Sequence, residues 1–88
     1  MSELHWRTAD VTLNDKLIPN PNAAHDLIQR IPTARVAVEG AFLHIDPQNG
    51  EPAYPGQTEW ETFIVPASSV KKISYRTHLE EPQVNFIH

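Results

Sequence analysis

Residues 58–76 read TEWETFIVPASSVKKISYR, and this stretch decides the fold that the sequence predicts. β-Branched and aromatic residues lie on both sides of the short segment 66–69, and residues of these types favour strands. Pro66 has no amide hydrogen, so it belongs at the end of a strand or in a turn. We therefore predict two antiparallel strands joined by a tight connection at residues 66–69.

The register of this hairpin can be argued from the faces of its strands. Setting Ile64 opposite Ile73 produces one largely apolar face and places Glu61 opposite Arg76 on the other face. A shift of one residue sets Ile64 opposite Lys71 and mixes the two faces. The first register is therefore the prediction, with its apolar face directed towards the core.

Residues 35–46, RVAVEGAFLHID, are the second strong strand signal. Val36, Val38 and Phe42 share one face, but the alternation changes phase around Gly40. Either Gly40 lies at a bulge or sharp bend in a continuous strand, which we favour, or Glu39 and Gly40 form a tight turn between two short strands. Both alternatives predict strong local curvature.

A short helix is predicted over about residues 22–31. Asn20 or Asn22 is a suitable N-cap, and Pro32 ends the segment. The apolar residues that recur at the spacing of one helical face are Ala24, Leu27, Ile28 and Ile31. Before this segment, Val11 and Leu13 alternate with polar residues and indicate a half-buried strand.

These signals predict a single small domain over residues 1–88 of the α+β class, mainly β. Its expected architecture is a small curved antiparallel sheet or partly open barrel with one short helix. Residues 47–57 contain three prolines and two glycines and are predicted to form a long loop. Residues 80–88 place apolar side chains behind Pro82 and indicate a short terminal strand, which either pairs with an edge of its own sheet or, as an exchangeable tail, adds to the edge of a neighbouring subunit.

Composition narrows the function classes. The formal charge of −4 argues against a protein that coats nucleic-acid duplexes, and the chain has no cysteine for disulfides or thiolate metal sites. No apolar run approaches the length of a membrane span, and residues 1–10 lack the pattern of a signal peptide. The expectation is a soluble cytoplasmic protein that does not bind membranes.

No constellation of residues indicates catalysis, a cofactor or a metal. None of the five histidines is spaced so that two ligands share one face of an element. Glu59 and Glu61 would share a strand face, but pairing with Arg76 and His78 is the preferred interpretation. The residues chosen as candidate binding residues are Tyr54, Lys71, Lys72, Tyr75 and Arg76.

Two observations led to that choice. Lys71, Lys72, Tyr75 and Arg76 form a basic and aromatic cluster of the kind that holds phosphate and stacks bases, although Glu59 and Glu61 are predicted to neutralise part of its charge. Tyr54 lies in the middle of the loop, where it either contacts a partner or packs back onto the domain.

The segments AHDLIQRI, RVAVEGAFLHI and FIVPASSVKKISY together resemble the Sm-like and SH3-like small β-barrels. Members of the Sm-like family often end with an apolar strand, a short turn of small residues and a last strand that contains isoleucine. The resemblance implies ring-like oligomers formed through strand edges. It does not carry RNA binding across, because residues 66–68 replace the basic and histidine residues of bacterial RNA chaperones; the acidic balance and the insertion at 47–57 also depart from the pattern.

The preferred hypothesis is a non-catalytic, β-rich interaction module that forms homo-oligomers and binds a protein partner through strand edges and the 47–57 loop. The first alternative is an Sm-like binder of single-stranded RNA through the basic and aromatic cluster, which the charge balance disfavours. The second is a small enzyme or ligand-binding protein with a site between the loop and the sheet, involving His44, Tyr54 or Glu61.

Overall fold

The computed structural model describes residues 4–75, which form seven strands and one short 3-10 turn. The strands are β1 (Arg7–Leu13), β2 (Ile18–Asn20), β3 (Ala23–Ile28), β4 (Arg30–Glu39), β5 (Phe42–Asp46), β6 (Phe63–Pro66) and β7 (Val70–Tyr75). The 3-10 turn, η1 (Ala67–Ser69), connects β6 to β7. The expectation of a mainly β protein with an antiparallel sheet is confirmed.

Five strands form one antiparallel sheet in the order β6-β5-β4-β1-β7, and β2 pairs with β3 in a separate hairpin. The two edge strands, β6 and β7, follow each other in the chain. Because η1 has only three residues, it brings one end of β6 and one end of β7 close together, and the sheet must curve. Within residues 4–75 no strand ladder joins β6 to β7, so the sheet is not a closed barrel.

Backbone hydrogen bonds hold η1 at both of its ends. The amide of Ala67 donates to the carbonyl oxygen of Ala41 at 2.7 Å, and the amide of Asn14 donates to the carbonyl oxygen of Ser69 at 2.8 Å. The side-chain amide of Asn14 also donates to the carbonyl oxygen of Ser68 at 2.8 Å. These bonds tie the turn to the β4–β5 connection on one side and to the end of β1 on the other.

The core lies on one face of the curved sheet. Alternate residues of β1 are buried, as the sequence pattern predicts for Val11 and Leu13. The other buried apolar residues in contact with them are Ala9, Ile18, Ile31, Ala34, Val36, Leu43, Ile45 and Val65. Full burial of a side chain the size of valine or isoleucine contributes about 1.5–3 kcal/mol, so this cluster is the main source of stability.

The prediction of a helix over residues 22–31 is wrong. Residues 23–28 form β3, and β4 begins at Arg30. The supposed helical face does not exist in the fold: Leu27 is exposed, Ile28 pairs with Ile18, and Ile31 pairs with Val11. Pairing with distant strands outweighed a local periodicity that only a helix of two to three turns would have used.

The predicted hairpin of β6 with β7 is also wrong, although both strands exist. β6 pairs with β5, so that Ile64 lies opposite His44, while β7 pairs with β1, so that Ile73 lies opposite Val11. The connection η1 leads the chain from one edge of the sheet to the other instead of reversing it. Residues 58–62 form no strand, and Arg76 lies outside the described residues.

The favoured bend at Gly40 proves to be a chain reversal, which was the other alternative. Glu39 pairs with Phe42, leaving Gly40 and Ala41 as a two-residue turn between β4 and β5. Gly40 has φ +59°, while Ala41 is not among the residues with positive φ. Glycine at the first position of such a turn is typical of type II′, which matches the twist of paired strands.

Residues 47–62 contain no strand and lead from β5 to β6. The proposed exchangeable tail, residues 80–88, lies outside the described residues. No helix in the described part of the chain has the length and apolar character needed to cross a membrane.

Candidate binding groove

A groove of about 310 Å³, called the apolar groove below, lies where the β4–β5 turn faces β7. Its lining residues come from both sides of the curved sheet and from η1: Val38, Gly40, Phe42, Leu43, Ala67, Val70, Lys71, Lys72 and Ile73. The curvature that η1 imposes is therefore what brings its walls together.

Two large apolar side chains are left exposed in the lining of this groove. Val38 is 62% exposed and Phe42 is 52% exposed, whereas Leu43, which pairs with Val38, is buried. Val38 and Leu43 lie one residue pair away from the β4–β5 turn, at the end of this ladder. Exposed apolar side chains that lie together are typical of surfaces that bind other molecules.

Two lysines add positive charge to the apolar groove. Lys71 and Lys72 are exposed and line it beside Ile73. A bulge in the β1–β7 ladder lies here, because Leu13 pairs with Val70 but Thr12 pairs with Lys72. On a chain with a net charge of −4, adjacent lysines next to apolar surface favour ligands that combine apolar and acidic groups.

The same wall of the groove carries an unpaired strand edge. Among the described strands, β7 pairs only with β1, which leaves the backbone groups on its other side for a further strand. At the opposite edge of the sheet, β6 has four residues and ends in Pro66, which has no amide hydrogen to donate. The edge of β7 is therefore the better template for an added strand.

The predicted binding residues are distributed over different parts of the structure. Lys71 and Lys72 meet in the apolar groove, but Tyr75 lies in a second groove, where the guanidinium carbon of Arg7 is 3.9 Å from the centre of its ring. Tyr54 is 60% exposed in the loop and lines neither groove. Arg76 lies outside the described residues.

Asp46 organises the 47–57 loop, and sequence reasoning missed it. Its carboxylate is fully buried and accepts hydrogen bonds from Trp60 Nε1 at 2.8 Å and from Arg35 at 3.1 Å. It also accepts the backbone amides of Gln48 and Gly50, both at 2.9 Å. An aspartate directly before a turn often bonds the backbone in this way, and that position was the available signal.

His44, named in the enzyme hypothesis, forms part of a small aromatic and charged contact. Its Nε2 atom is 2.9 Å from Glu39 Oε1, and its ring meets the ring of Trp6 edge-on at 6.2 Å between centroids. Neither groove is lined by His44, Tyr54 or Glu61. Across residues 4–75, no three histidine, aspartate or glutamate side chains converge as metal ligands would.

Comparison of the chain with protein-family models, with curated proteins and with solved structures gives no match. The function is therefore argued from the grooves and the strand edges themselves.

Proposed function

We propose that this chain is a non-catalytic, β-rich interaction module that binds a protein partner in the apolar groove and associates with itself through strand edges. The observation that carries the proposal is the exposure of Val38 and Phe42 beside the unpaired edge of β7. A small domain gains nothing in stability from large apolar side chains left in water, so a partner that covers them has a clear energetic reason to bind.

The chemistry of the groove indicates the kind of segment that fits it. An extended peptide can add its backbone to the free edge of β7 and place alternate side chains over Val38 and Phe42. Acidic side chains in the same peptide would lie beside Lys71 and Lys72. The proposed partner segment is therefore a strand that alternates apolar residues with residues of which at least one is acidic.

Selection from a library of random peptides displayed on phage tests this binding directly. We expect the selected peptides to alternate apolar residues and to contain Asp or Glu. Val38→Lys should weaken binding of a selected peptide by about tenfold or more, because a charge replaces apolar contact surface. When the same library is selected on the double variant Lys71→Glu with Lys72→Glu, peptides that contain Asp or Glu should be depleted.

The matched control for these variants is Ile64→Lys. Ile64 is 58% exposed and lies on a strand, but it is not part of the groove lining. Its replacement should leave peptide affinity unchanged. Equal losses in Val38→Lys and Ile64→Lys, or selected peptides without apolar residues, would count against the groove as the binding site.

Self-association is proposed from the strand edges and from the Sm-like resemblance. What supports the resemblance is the course of the chain through β6, a turn of small residues and β7, which lie at the two edges of one curved sheet. Native mass spectrometry over a range of protein concentrations tests it: we expect a discrete oligomer. A monomer at every concentration would remove this part of the proposal and leave peptide binding unaffected.

The RNA-binding alternative has less support from the geometry. Single-strand binders combine cations with aromatic faces on which bases stack. Here Arg7 lies over the ring of Tyr75, and the two lysines line a different groove from that ring.

A further inference from the structure

A second and larger groove, of about 700 Å³, opens at the far end of β7. We call it the polar groove. It shares no lining residue with the apolar groove, and its walls come from β1, β4 and β7: Arg7, Thr8, Ala9, Asp10, Pro32, Thr33, Ser74 and Tyr75. A bulge in the β1–β4 ladder, between the pairs Ala9–Ala34 and Val11–Ile31, sets two residues, Pro32 and Thr33, opposite the single residue Asp10.

Arg7 differs from the other arginines of the described residues. Arg30 donates to Asp10, and Arg35 donates to Asp46, so each of these two cations has a carboxylate partner. Arg7 instead lies over the ring of Tyr75, and no carboxylate within residues 4–75 forms an ion pair with it. Stacking positions a guanidinium through its contact with the ring and leaves its N–H donors for a ligand.

The one carboxylate in the lining is already neutralised. Asp10 Oδ2 accepts from Arg30 at 2.6 Å and Oδ1 accepts at 3.1 Å, which is a two-point contact. The hydrogen bond from Arg30, with a smaller contribution from the charge of Lys72, holds the pKa of Asp10 below its ordinary value of 3.8. With Asp10 paired, Arg7 is left as the uncompensated charge of the groove lining, and it is positive.

Hydroxyl groups surround this cation. Thr8, Thr33 and Ser74 all line the polar groove. The Thr8 hydroxyl donates to Asn49 Oδ1 at 3.0 Å, so its oxygen remains an acceptor, and neither Thr33 nor Ser74 forms a side-chain hydrogen bond within the described residues. Hydroxyls donate and accept, which suits the hydroxyl groups of a ligand as well as its anionic oxygens.

We propose that the polar groove binds the phosphate group of a small polyhydroxylated molecule, of the sugar-phosphate class. Arg7 holds the phosphate through its N–H donors, and the hydroxyls of Thr33 and Ser74 contact the body of the ligand. A small ligand is favoured over single-stranded RNA because the chain as a whole is acidic, and Arg7 lies over the face of Tyr75 on which a base would stack.

Isothermal titration calorimetry with four probes tests the proposal: inorganic phosphate, glucose 6-phosphate, glucose and a short oligouridylate. We expect phosphate to bind with a Kd of about 1 mM and glucose 6-phosphate to bind at least about threefold more tightly, since it adds contacts to the hydroxyls. Glucose alone should show no binding. Tighter binding of oligouridylate than of glucose 6-phosphate, or no binding of either phosphate probe, would overturn the proposal.

Variants identify the group responsible. Arg7→Gln should weaken phosphate binding by about tenfold, and Arg7→Lys should lose part of the affinity because lysine lacks the planar arrangement of donors. Lys16→Gln is the matched control, since Lys16 is an exposed cation in the β1–β2 connection, away from the groove lining. Equal affinity in Arg7→Gln and wild type, or an equal loss in Lys16→Gln, would overturn the assignment to Arg7.

Discussion

Asp46 fixes the long connection between β5 and β6 through hydrogen bonds to a single side chain. Its buried carboxylate accepts bonds from a tryptophan, an arginine and two backbone amides, and so fixes both ends of the segment that joins β5 to β6. The sequence predicted a long loop at 47–57. The position of Asp46 directly before a turn signalled its bonds to the nearby amides of Gln48 and Gly50, but not its burial, because the side-chain donors lie 11 positions before and 14 positions after it.

Replacing Asp46 with alanine should destabilise the protein strongly. Trp60 Nε1 and the two backbone amides would lose their acceptor, and unsatisfied buried donors make the expected loss about 3 kcal/mol. Urea denaturation followed by tryptophan fluorescence measures it. Asp15→Ala, an exposed aspartate in the bend after β1, is the control and should change stability by less than about 0.5 kcal/mol. A similar midpoint for both variants would contradict the role of Asp46.

The three glycines allow two effects of a substitution to be compared: backbone strain and steric crowding by the added Cβ. Gly40 and Gly56 have φ of +59° and +91° with open space around them, so alanine at either should be unfavourable by about 1–2 kcal/mol from backbone strain alone. Gly50 has φ +79°, and an added Cβ would lie 3.3 Å from Arg35 Nη1, the side chain that contacts Asp46. Gly50→Ala should therefore lower the urea midpoint more than Gly40→Ala or Gly56→Ala. Three equal shifts would mean that Arg35 moves aside without loss.

At the scale of elements, local patterns predicted the existence of strands better than their partners. The segments around Val11, Val36 and Ile64 were recognised because alternation and β-branched residues are local properties. The pairing of β7 with β1 joins residues about sixty positions apart, and nothing in residues 58–76 distinguishes it from a hairpin. The error over residues 22–31 has the same origin, since Ile31 is buried against β1 and not against its sequence neighbours.

The ion pair of Asp10 with Arg30 links β1 to β4 next to the bulge, and it predicts a pH dependence. Because Arg30 lowers the pKa of Asp10 in the folded state, the pair stabilises the fold above pH 3.8, and this contribution is lost as the pH falls through the lower folded pKa. The stability difference between wild type and Asp10→Asn should therefore be present at pH 7 and shrink on acidification below 3.8. Urea midpoints across this range measure it; a difference that grows towards low pH would contradict the assignment.

For the whole molecule, the candidate sites depend on the curvature of the sheet. The sequence predicted curvature but not which strands it would bring together. Strong curvature near Gly40 was expected, and it proves to be the turn between β4 and β5; the short connection expected at 66–69 leads from one edge strand to the other instead of closing a hairpin. Lys71 and Lys72 were selected as binding residues from their charge. Their apolar neighbours in the groove, Val38 and Phe42, could not be, since that contact requires the β4–β5 turn to approach β7.

The length of η1 should therefore control the stability of the entire sheet. Inserting Gly-Ser between Ser68 and Ser69 would separate the edges and disrupt the bonds from Asn14 to this turn, for an expected loss of about 2 kcal/mol. The same insertion between Thr58 and Glu59, which are exposed and belong to no strand, should change the free energy of unfolding by less than about 0.6 kcal/mol, the small effect of lengthening a loop. Urea denaturation of both variants measures the difference. If the insertion in η1 were tolerated as well as the insertion in the loop, the two edges would not be coupled through this turn, and the walls of the apolar groove would need another explanation.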